Sequence, residues 1–215
     1  MKKATAGFLA AVATVAFAGT AQAQICAGFP TSDRGMYFGG RADFPEDLDS
    51  YGVEANYNFS GPLGVYGGLN VISLDGDGGD DDSEDEIYGG LAFEVASLGM
   101  MIGPRVSACP VVEARFMDFE GLGSSLQIPI GLGVGASLGI PMLPSASAYV
   151  QPQLVISRFD FDDDLTEADT ETETDFGIKA GANVGFGLIT VGGEVRHVFV
   201  DEADPVFGIR VGIRL

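Results

Sequence analysis

The sequence predicts an all-β protein, a transmembrane antiparallel up-and-down β-barrel of about ten strands, and three observations carry that prediction. Apolar and polar residues alternate with a period of two through segment after segment; acidic connections alternate with short, nearly uncharged ones; and an apolar leader is followed by no further long apolar run. The composition averages these environments: 215 residues, 11 Lys+Arg against 31 Asp+Glu for a net charge of −20, yet 46% hydrophobic with 15 Phe and 32 Gly. That apolar fraction excludes a disordered acidic chain. Eleven basic residues spread along the chain supply too few cations to neutralise a phosphate backbone, which argues against nucleic acid as a partner.

Residues 1–23 read as a secretory signal peptide, with Lys2 and Lys3 as the charged start, an apolar run from Gly7 to Gly19 and the small-residue cleavage site Ala21-Gln22-Ala23. The run is too short for a spanning helix, which needs about 20 apolar residues. Ile25 is too bulky for the position before a lipid-modified cysteine, so Cys26 is not read as a lipid anchor. Residues 24–34 form a separate N-terminal segment, and 35–215 form the barrel.

The alternation is clearest at the C-terminus. From Phe207 to Leu215 the odd positions are Phe, Ile, Val, Ile and Leu, while the even ones are Gly, Arg, Gly and Arg. The same period assigns Met36, Phe38, Gly40, Ala42 and Phe44 to one face, against Tyr37, Gly39, Arg41 and Asp43. It recurs in 51–59, 63–73, 87–95, 105–117, 126–138, 146–156, 176–186 and 189–199. The region 87–117 can be divided differently, which leaves eight strands open. A soluble β-sandwich also alternates, but its charge belongs on the outer face. Here the polar face is mostly Gly with Asn, Gln, Ser and isolated charges. The opposite face stays apolar over lengths that suit the 9 to 11 residues of a membrane-crossing strand.

Acidic stretches follow the odd strands, at 44–50, 75–86, 118–123, 160–175 and 201–205. Short turns follow the even ones, at Ser60-Gly61-Pro62, Ser97-Leu98-Gly99, Ile140 to Pro144 and around Gly187. From Gly35 to Leu215 the chain therefore resembles the small outer-membrane β-barrel proteins of Gram-negative bacteria, the broad OmpA/OmpX-like porin-family class. It departs from them in ending on Leu215, where such strands usually finish in Phe or Trp. The resemblance implies the bacterial outer membrane as location, the lipid bilayer and lipopolysaccharide as surroundings, the barrel-insertion machinery as reader of the C-terminal strand, and a monomer with its short turns and residues 24–34 in the periplasm.

A charge facing lipid at mid-depth costs about 2 to 4 kcal/mol, so strand charges belong inside. Arg41, Arg105, Arg115, Lys179, Arg196, Arg210 and Arg214 all fall on inward positions, as do Asp43, Glu54, Glu94, Glu113 and Glu194. Mixed signs in so narrow a barrel predict an ion-pair network that fills the lumen, since barrels near eight strands are filled by side chains. The expected role is structural or surface-interacting; the alternative is a narrow cation-preferring pore or transporter for small solutes.

Seventeen of the 31 acids lie in 75–86 and 160–175. Asp75, Asp77, Asp80, Asp81, Asp82 and Glu84 supply the oxygen ligands that Ca²⁺ or Mg²⁺ takes, and weak binding of either ion is the one cofactor expectation. The run departs from an EF-hand loop at Gly79 and Asp80. The two cysteines, Cys26 and Cys109, are expected to pair in an oxidising compartment, tethering 24–34 under or into the lumen. Catalysis is not expected. The single histidine, His197, falls on the lipid-facing parity, and Phe199 stands where a serine partner would be needed.

Overall fold

The structure is a computed structural model and describes residues 26–29, 35–45, 48–59, 62–74, 83–99, 103–119, 123–139, 144–161, 170–200 and 203–215. The expected signal peptide lies outside the described residues. The strands are β1 (Met36–Phe44), β2 (Leu48–Asn58), β3 (Leu63–Leu74), β4 (Ser83–Phe93), β5 (Ala96–Gly99), β6 (Gly103–Phe119), β7 (Gly123–Gly139), β8 (Ser145–Phe161), β9 (Glu171–Phe186), β10 (Ile189–Val198) and β11 (Val206–Arg214). Each pairs antiparallel with its neighbour. β1 closes on β11, and β4 and β5 both pair with β6, so the eleven segments form a closed ten-strand barrel.

One strand is interrupted. Ala92 pairs with Val111 and Ala96 with Ala108, so four steps on one strand oppose three on the other, a β-bulge at Glu94-Val95. The extra residue reverses the faces beyond it. Glu94 keeps the inward parity of Glu84, Glu86 and Tyr88 and is buried, whereas past Val95 the odd positions turn in, so that Ser97 comes opposite Ser107 and Leu98 faces outward at 78% exposure. The expected turn at Ser97-Leu98-Gly99 is therefore strand. A second correction concerns the acidic runs. β4 begins at Ser83, so Glu84 and Glu86 are buried strand residues rather than loop residues. Asp160 lies on β8, and Glu171, Glu173 and Asp175 lie on β9.

The outer surface is apolar. Phe38, Val53, Leu69, Ile87, Leu132, Leu154, Val191 and Ile209 are all exposed, while the alternate positions on the same strands turn inward. Among the described residues no helix is long and apolar enough to cross a membrane; these strands carry the apolar surface.

Lumen glycines make room for tyrosines. Tyr66 pairs across the ladder with Gly90, and Gly68 with Tyr88. A Cβ at Gly90 would fall within the Tyr66 ring, and one at Gly68 within contact of the Tyr88 ring. Tyr149 lies over Gly181 in the same way, and Tyr37 over Gly39 and Gly212. The narrow bore is thus filled by rings lying flat on bare backbone.

Candidate functional site in the barrel lumen

The lumen holds the chemistry-bearing residues, in two layers. The first is a short piece of the N-terminal segment. Cys26 and Cys109 are joined by a disulfide with Cα atoms 5.7 Å apart. Both cysteines, Ala27 and Phe29 are essentially inaccessible to solvent. Phe29 packs between Tyr37 and Tyr66, with ring centroids 6.1 and 5.0 Å away, and the Arg210 guanidinium sits 5.3 Å over its face. The Gly28 carbonyl accepts hydrogen bonds from Arg210 Nη1 at 2.8 Å and Asn183 Nδ2 at 3.2 Å. Gly28 has a left-handed φ of 91°, and a Cβ there would strike the Tyr149 ring, so two constraints require glycine at once. Gly133 is needed for a different reason, because the Cys26 backbone passes directly over it.

The second layer is a connected set of charges. Glu194, on β10, is its centre. It accepts Arg41 Nη2 at 2.8 Å and Arg210 Nη2, and lies 3.7 Å from Lys179 Nζ and 3.6 Å from Arg196 Nε. Tyr149 donates its hydroxyl to the same carboxylate. Glu54, 3.8 Å from both Arg41 and Arg210, accepts the Tyr88 hydroxyl. Glu113 takes Tyr66 at 2.8 Å and Arg115, with Lys179 at 3.8 Å. Arg115 continues to Glu86 at 2.9 Å, and Asp43 joins Arg41 to Arg196 at 2.7 and 2.8 Å. Five cations (Arg41, Arg115, Lys179, Arg196 and Arg210) thus meet five carboxylates (Asp43, Glu54, Glu86, Glu113 and Glu194). Neutrality matters here, because an uncompensated charge in so dry a site carries a large desolvation cost.

Of the residues singled out from sequence, Glu94 and Arg105 form a separate pair at 3.3 Å, joined by Ser97 and Ser107 below the bulge. Arg214 donates to Ser145 and the Gly187 carbonyl and stands apart from the ten-member set. Sequence reasoning left Glu86 in a loop, although its parity with Tyr88 pointed inward. It gave no role to Tyr66, Tyr88 and Tyr149, whose hydroxyls cap the three central glutamates.

The proposed metal ligands Asp75, Asp77, Asp80, Asp81 and Asp82 lie outside the described residues. Glu84 is buried on β4. Among the described residues no group of three His, Cys, Asp or Glu side chains gathers as a metal would require. At the outer end of β8 the apolar outward face stops at Ile156. Beyond it, Arg158 and Asp160 pair at 3.1 Å with both side chains about half exposed. Hydrogen bonds from Thr170 and then Arg158 hold the Asp160 carboxyl below the ordinary carboxylate range. His197 lies edge-on to Phe199, ring centroids 4.6 Å apart.

No protein-family model matches the sequence, and no curated protein sequence matches it. Among solved structures the barrel is similar to LpxR from Salmonella typhimurium, at 12% identity and a TM-score of 0.50 over 78% of this chain and 73% of that one. A second chain, from work on "Unveiling the Mechanism Behind the in-meso Crystallization of Membrane Proteins", aligns at 10% identity over 84% of both chains with a TM-score of 0.37, and carries no argument. LpxR is an outer-membrane lipid A deacylase, which corrects the expectation that this chain is no enzyme: the architecture that argued for a passive barrel is one that also houses catalysis. At this level of identity the likeness extends to the fold alone, a closed antiparallel β-barrel.

Proposed function

We propose that the protein works in the bacterial outer membrane as a closed barrel that anchors acidic segments at the cell surface in a structural or surface-interaction role. The observation that carries this reading is the plugged, charge-neutral lumen. Residues 26–29 occupy it on one level, and five cations interlocked with five carboxylates occupy it on another. Ions in transit would have to break pairs whose members are nearly all under 10% exposed. Delivery depends on cleavage after Ala23 and on recognition of the strand ending at Leu215 by the insertion machinery. Lipopolysaccharide surrounds the apolar belt, and the barrel works as a monomer.

Planar-bilayer recording from the purified protein tests the closed lumen against the narrow cation-preferring pore. The expected result is no steady single-channel step. A reproducible conductance with cation selectivity that changes in Glu113→Gln would replace this reading with the pore.

A further inference from the structure

We infer that the Cys26–Cys109 bond is made before the barrel closes, by thiol–disulfide exchange with a disulfide-bearing oxidant acting on the still-open chain, so that oxidation is an earlier step in the reaction sequence that ends in the folded barrel. Both cysteines have zero exposure, and the segment that carries Cys26 is held from every side. Tyr37 and Tyr66 face Phe29, Tyr149 fills the space beside Gly28, Gly133 lies under the Cys26 backbone, and Asn183 and Arg210 hold the Gly28 carbonyl. These contacts come from β1, β3, β7, β8, β9 and β11. Once those strands are joined, no oxidant molecule can reach either sulfur.

The chemistry requires such access. One cysteine thiolate attacks the oxidant's S–S bond, displacing one of its sulfurs as a thiol and forming a mixed disulfide. The second cysteine thiolate then attacks the protein sulfur of that mixed disulfide and releases the other oxidant sulfur. The two cysteines give up two protons and two electrons, and the oxidant leaves as two thiols. Each attack needs a bulky partner beside Cys26 or Cys109, and the lumen around them is filled by Tyr149, Phe29 and the strand backbones. The bond also joins residues 83 apart, from before β1 to the middle of β6. It therefore draws the first half of the sheet into a curve on which β7–β11 can complete the wall.

The test uses protein purified from outer membranes, unfolded in urea as either disulfide or dithiol, and refolded into phosphatidylcholine vesicles. Folding is read from the gel mobility of unheated samples, and thiols are counted after denaturation. The disulfide form is expected to fold. The dithiol form either fails to fold, or folds into a barrel that oxidised glutathione oxidises more than 30-fold more slowly than the urea-unfolded dithiol; both results support oxidation first. Oxidation of the folded dithiol barrel at a rate within 30-fold of the unfolded chain overturns the inference. Pulse labelling in cells gives an independent readout: a disulfide-bonded, unfolded species is expected to precede the folded barrel, and a folded dithiol species appearing first sinks the proposal.

Discussion

Replacing Glu194 with Gln tests whether charge neutrality holds the lumen together. Glutamine keeps the size of the side chain and can still accept from Arg210 and Tyr149, so packing is conserved and only the charge is lost. The carboxylate is 1% exposed, with Arg41 at 2.8 Å, Arg196 at 3.6 Å and Lys179 at 3.7 Å, so water cannot replace it. The variant leaves five buried cations facing four carboxylates. Removing one member of a buried pair costs about 3 to 5 kcal/mol, which is about 10²- to 4 × 10³-fold in the folding equilibrium. Urea unfolding in lipid vesicles, followed by circular dichroism, measures the change. Combining Glu194→Gln with Lys179→Met restores four charges of each sign and is expected to recover about half of the loss, a coupling that independent sites do not show. A loss under about 1 kcal/mol for Glu194→Gln, or strict additivity in the pair of substitutions, refutes the reasoning.

Arg158→Ala removes an ion pair whose side chains are about half exposed, and is expected to change stability by about 0 to 1 kcal/mol in the same assay. Gly90→Val places a side chain inside the Tyr66 ring and is expected to cost about 1 to 3 kcal/mol, with recovery when Tyr66 is also shortened to Ala. Leu132→Arg puts a charge on the lipid face and is expected to cost about 2 to 4 kcal/mol at mid-depth. Because the folded-state pKa of Asp160 is depressed, its contribution is present above the unfolded carboxylate range and is lost as pH falls through the lowered value. Thr170→Val is expected to move the titration of Asp160 upward, as read from its carboxyl carbon by NMR.

The facing of the strands was legible because lipid sorts side chains by a single criterion. Arg41, Arg115, Lys179, Arg196 and Arg210 could be turned inward from parity alone. The bulge at Glu94-Val95 was not legible, since one inserted residue leaves no compositional mark, and it moved Ser97-Leu98-Gly99 from turn to strand. Glu84 and Glu86 were read as loop because they end a run dense in Asp and Gly, where a two-residue period is hard to see against a background already polar. The pairing of Cys26 with Cys109 followed from there being only two cysteines. The expectation against catalysis was of another kind. It rested on His197 having lipid-facing parity and on Phe199 standing where a serine partner would be needed, and the likeness to LpxR corrects it at the level of the fold, which is also that of an enzyme.

The tyrosine and glycine pairs also decide which strand alignment the chain can adopt. Lipid distinguishes odd from even positions and nothing finer. Sliding β4 along β3 by two residues would leave Val65, Leu69, Ile87 and Leu91 facing the bilayer as before. The same slide would take Tyr88 off Gly68 and Tyr66 off Gly90, bringing rings against side chains where there is now bare backbone. The outer surface therefore specifies a family of barrels that differ by even steps, and the interior selects one of them.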